Sequence, residues 1–63
     1  MSRNVLYWAE PLPGGRAQMM ADLVVDSRIV QTWPVGSPAP LETVDRAVAE
    51  YNGAGVKRRP HDV

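Results

Sequence analysis

RAQMMADLVVDSRIVQTWPV, residues 16–35, is the stretch whose reading decides the fold. Its first half, RAQMMADLV, is made of good helix formers, whereas its second half, VVDSRIVQTW, is β-branched, so propensity alone points two ways. Alternation favours strands. Met19, Ala21, Leu23 and Val25 alternate with Gln18, Met20, Asp22 and Val24, leaving one face fully apolar. A three-residue loop, Asp26-Ser27-Arg28, would pair Val25 with Ile29 and gather Leu23, Val25, Ile29 and Trp33 on one side. A two-residue loop would split that set, so the longer loop is expected. The alternative for the whole chain is a helix over residues 16–24, giving β-α-β-α.

Upstream, NVLYWAE (residues 4–10) is β-branched and aromatic enough for a strand. Val5, Tyr7 and Ala9 would face one side and Leu6 and Trp8 the other, the latter pair being the stronger core candidate. Pro11-Leu12-Pro13-Gly14-Gly15 must turn the chain, with Pro13-Gly14 fitting the central positions of a type II turn. Downstream, the three prolines, Gly36 and Ser37 of residues 34–40 read as a linker. It leads into SPAPLETVDRAVAEYNGAG, residues 37–55. Leu41, Val44, Val48 and Tyr51 fall at helical spacing with Ala47 beside them. Glu42–Arg46 and Arg46–Glu50 are opposite-charge pairs four residues apart. Pro38 and Pro40 suit the approach and first turn, and Asn52-Gly53 supplies the left-handed residue that ends helices.

The chain therefore reads as an α+β domain, β-β-β-α, with a small three-stranded antiparallel sheet and one C-terminal helix packed on one face. Residues 1–55 form a single small domain, and residues 56–63 a flexible basic tail. Leu41, Val44, Val48, Leu23, Val25, Ile29, Leu6 and at least one Trp are the expected core.

Size and composition narrow the function. A chain of 63 residues buries little surface and usually needs a staple or a partner. No Cys is present and the only His is His61, so disulfides, thiolate zinc and a multi-histidine site within one chain are excluded. No cofactor and no metal are expected. The absence of Cys fits the cytoplasm, and neither a secretory signal nor a membrane-length apolar run is seen. Six Arg against one Lys, no Phe, and abundant Val, Ala, Gly and Pro read as GC-rich coding, pointing to a bacterium, its phage or another mobile element. Residues 1–56 carry four Arg against six acids, a net of −2; residues 57–63 carry Lys57, Arg58 and Arg59 against Asp62, a net of +2. A nucleic-acid-binding domain normally shows its basic excess over the folded surface.

Four chemistries compete. Asp22, Asp26 and Glu10 would have to gather at one sheet end for acid–base or metal work, but acids at alternating strand positions read as a solvated face. Ser2, Ser27 and Ser37 lack a strand–Ser–helix elbow, and His61 is the third residue from the end, so no enzyme is expected. Pro13-Gly14-Gly15-Arg16 lacks the phosphate-loop pattern and reads as a hairpin. Lys57, Arg58 and Arg59, with strand aromatics Tyr7, Trp8 and Trp33, form the nucleic-acid alternative. The favoured reading is a protein-binding module of regulator or inhibitor type, self-association included. It would act through a sheet face carrying Tyr7, Met20, Val24 and Val30, or through a sheet edge.

The order of strand, Gly-containing turn, strand and then a helix opening Leu41-Glu42 with Ala47 resembles the small HicB-type antitoxin domain over most of the chain. No specific motif is shared, and the loop before the helix lacks that family's acidic-Leu-Pro-Gly stretch. The chain is not assigned to it.

Overall fold

The computed structural model describes residues 2–53 and consists of three antiparallel strands followed by one helix. Strand β1 spans Arg3–Leu12, β2 Arg16–Val25 and β3 Arg28–Pro40; helix α1 spans Leu41–Tyr51. The strands lie in the order β1-β2-β3. Residues 16–25 are thus the central strand, and the β-α-β-α alternative is overturned. Ala17 and Ala21 are fully buried and Met19 nearly so. Pairing on both sides while burying that apolar row outweighs the helix propensity of its residues.

The first turn places Leu12 opposite Arg16, with Gly14 and Gly15 at φ 80° and 71°. Those backbone values suit glycine, as the Pro-Gly-Gly sequence anticipates. The second turn corrects the expected three-residue loop. Val25 faces Arg28, and only Asp26 and Ser27, at φ 52° and 68°, connect the strands. Two left-handed residues make a type I′ turn, whose twist matches that of the strands it joins. Asp26 is further held by Ser2: its N–H donates to the Ser2 carbonyl and its Oδ1 accepts from the Ser2 N–H, both at 2.9 Å.

A bulge then repairs the register. Val24 faces Ile29 but Leu23 faces Gln31, so Val30 is an extra residue on β3. Trp33 consequently pairs with Ala21 while Ile29 pairs with Val24. The set Leu23, Val25, Ile29 and Trp33 is divided between faces, contrary to expectation, because an inserted residue shifts the alternation on one strand only.

Residues 34–40 are likewise part of β3 and not a linker. Met19 faces Val35 and Ala17 faces Ala39, leaving Gly36, Ser37 and Pro38 opposite Gln18. Gly36 takes φ 70° there. The Gln18 Nε2 fills the gap, 3.0 Å from the Met19 carbonyl and 3.1 Å from those of Val35 and Gly36. Arg16 Nη2 donates to the Pro38 carbonyl at 2.9 Å. An edge strand tolerates prolines that a central one would reject.

Helix α1 begins at Pro40, which has no side-chain cap; the Leu41 N–H instead donates to the Gly15 carbonyl at 3.0 Å, fixing the helix start to the first turn. It ends at Asn52, followed by Gly53 at φ 91°. Val44 and Val48 pack on Ala17 and Met19, surrounded by Tyr7, Ala9, Val35, Ala39 and Ala47. The Tyr7 and Tyr51 rings meet edge to face at 5.0 Å. The core therefore lies on the Tyr7–Ala9 side of β1, not on the Leu6–Trp8 side. Val44 and Val48 are buried as expected; Leu41 is exposed, and Leu6, Leu23, Val25, Ile29, Trp8 and Trp33 are half-buried. Length explains this. A helix of 11 residues is about 16 Å long, whereas a ten-residue strand reaches about 33 Å. One short helix roofs only half of one face.

Candidate functional site

The half of the sheet beyond the Tyr7–Ala21–Trp33 row lies past the helix. Every member of the helix-side core sits in that row's neighbourhood or nearer the first turn. Beyond it, Val5 is 36 % and Val30 58 % exposed, with Leu23, Val25 and Ile29 half-buried. This end of the sheet leaves Val5 and Val30 exposed among polar Arg3, Asn4, Arg28 and Gln31, because the helix stops short of it.

The face away from the helix has a polar centre. Strand alternation puts Leu6 and Trp8 of β1 beside Met20, Asp22 and Val24 of β2 and Ile29, Thr32 and Pro34 of β3. Asp22 is fully buried, and its Oδ1 accepts from Trp8 Nε1 at 3.0 Å and from Thr32 Oγ1 at 2.8 Å. Asp22 was expected on a solvated face; burial with charge-assisted hydrogen bonds replaces that reading. The physical signal in the sequence is an acid at the middle of an apolar central strand, a place Asp normally avoids. Its partners, which need the register, were not legible.

The residues expected to form one interface are separated. Tyr7 faces the helix and packs on the core. Met20 and Val24 lie on the opposite face, half-buried and buried respectively, and Val30 stands out at the bulge. Asp22, Asp26 and Glu10 do not gather either. Glu10 pairs with Gln18 near the first turn, while Asp26 forms the second turn at the other end. Among the described residues, no three His, Cys, Asp or Glu side chains are grouped to hold a metal, and no helix is long and apolar enough to cross a membrane. Lys57, Arg58 and Arg59, and the tail to which they belong, lie outside the described residues.

The sheet edges are obstructed. The Tyr7 N–H donates to Asn52 Oδ1 at 3.0 Å and its carbonyl accepts from Asn52 Nδ2 at 2.8 Å. Both backbone groups of Tyr7 therefore point away from β2, as must those of Val5 and Ala9 by alternation. Pro11, on the same row, has no N–H to offer. Beyond β2, the same alternation turns Pro34 toward the free edge of β3, which the two bulges also interrupt. Compared with protein-family models, curated proteins and solved structures, the chain matches none.

Proposed function

We propose that this chain is a small non-enzymatic protein-binding module, of regulator or inhibitor type, acting through the helix-free end of its sheet. Its composition suits a bacterial, phage or mobile-element product. The observation that carries the reading is the helix-free end of the sheet, where Val30 and Val5 are exposed and Leu23, Val25 and Ile29 are only half-buried. A chain this small gains much by covering such a surface, with a partner or with another copy of itself. The obstructed edges favour a face over strand addition as the mode of contact.

Val30→Asp tests it. Val30 is 58 % exposed, so an acid there leaves folding stability within about 0.5 kcal/mol. Val24→Asp is unsuitable, because it would bury a charge. The native chain should show concentration-dependent association in sedimentation velocity, or retain a discrete protein on an affinity column, and Val30→Asp should lose it. A variant that binds as the native chain does would refute this surface. The nucleic-acid alternative rests on Lys57, Arg58 and Arg59.

A further inference from the structure

The Asn52 side chain does what a fourth strand would do. It offers one acceptor and one donor to the two backbone groups of Tyr7, at 3.0 and 2.8 Å, across 45 residues of sequence. The same residue closes the helix: its own N–H donates to the Val48 carbonyl at 3.0 Å. The residue after it is Gly53, whose N–H donates to the Glu50 carbonyl at 3.2 Å. A glycine there is also the least hindered nucleophile that can follow an asparagine.

We propose that Asn52 is a latch that keeps the β1 edge closed, and that hydrolysis of its amide at the Asn52-Gly53 step opens that edge to a second copy of this chain. In the reaction the Gly53 nitrogen attacks Asn52 Cγ and a new C–N bond forms. The Cγ–Nδ2 bond breaks, and Nδ2 leaves as ammonia with the Gly53 amide proton. Water then opens the five-membered imide, leaving aspartate or isoaspartate at position 52. No oxidation or reduction occurs. The product has lost the Nδ2 donor and sets a carboxylate against the Tyr7 carbonyl, which repels it.

The native contacts restrain both reactants. The amide is held at both ends by Tyr7, and the Gly53 nitrogen is engaged with Glu50. Hydrolysis therefore waits for local opening of the helix end. Once the latch is gone, the outward groups of Val5, Tyr7 and Ala9 form a short self-complementary edge. An antiparallel copy centred on Tyr7 sets Val5 of each chain against Ala9 of the other. This inference concerns the β1 edge and stands apart from the Val30 surface proposed above.

Hydrogen exchange tests the latch and sedimentation tests the edge. In Asn52→Ala the Tyr7 amide should exchange about tenfold faster relative to Ala21, the factor carried by about one hydrogen bond. Equal acceleration at Tyr7 and Ala21 would mean only global destabilisation and would overturn the latch. Asn52→Asp, which reproduces the aspartate product, should dimerise at concentrations where the native chain does not. Adding Val5→Pro, which removes an outward N–H, should restore the native sedimentation behaviour. An Asn52→Asp chain that sediments like the native one, or a dimer indifferent to Val5→Pro, would overturn the edge. Finally, ammonia release should be slower from the folded chain than from the urea-unfolded chain; equal rates would show that the fold does not restrain the step.

Discussion

Removing the Asp22 carboxylate is the perturbation that probes the sheet most directly. Asp22→Ala deletes the acceptor of Trp8 Nε1 and Thr32 Oγ1. A hydrogen bond to a charged group contributes about 1.5–3 kcal/mol net, and an unmade buried one costs its desolvation. The two donors are not equal. Trp8 is half-buried, so its indole N–H is poorly placed to find water, whereas Thr32 is exposed and its hydroxyl rehydrates at little cost. Most of the loss therefore comes from the Trp8 bond, for a total of about 2 kcal/mol. In a domain this small, that is about 10 °C in Tm. Urea unfolding followed by tryptophan fluorescence reads both the stability and the environment of Trp8. Asp22→Asn keeps an acceptor oxygen and nearly the same volume, so it should cost about 1 kcal/mol or less. Thr32→Val should cost least, within about 0.5 kcal/mol. An Asp22→Ala chain within about 0.5 kcal/mol of the native one would refute the account of a buried, bonded carboxylate.

Other outcomes follow from the turn and the helix. Ser27→Gly should stabilise by about 0.5–1 kcal/mol, since Ser27 holds φ 68° in the type I′ turn and glycine takes that conformation without strain. Destabilisation in urea melts would mean that the turn is not the two-residue one. Val48→Ala, at a position 5 % exposed against Met19 and Ala17, should cost about 1–2 kcal/mol in the same assay. A cost within about 0.5 kcal/mol would show that the helix stripe does not form the core.

The two faces of β1 show where sequence reasoning stops. Tyr7 and Trp8 are adjacent aromatics on one strand, and alternation alone puts them on opposite sides. Which side faces the helix depends on where the helix starts and ends. That is set by the Leu41 N–H on the Gly15 carbonyl and by the Asn52 amide on Tyr7, contacts between residues far apart in sequence. The candidate surface shares this limit. Val30 was legible as a sheet residue away from the core, but its prominence comes from a bulge that follows the choice of turn at Asp26-Ser27. The buried role of Asp22 required both neighbouring strands in register.

By itself the sequence determined the C-terminal helix, the turn at Pro13-Gly14-Gly15, the stripe of Val44 and Val48 and the stop at Gly53, and it favoured three strands while leaving a helix over residues 16–24 open. Each is encoded locally, by alternation, helical spacing, or a residue's own backbone preference. Only the tertiary structure decided which face the helix covers, how much of it, and where Asp22, Tyr7 and Asn52 find their partners. Those outcomes depend on register, and a shift of one residue in one strand exchanges the two faces without altering any local signal.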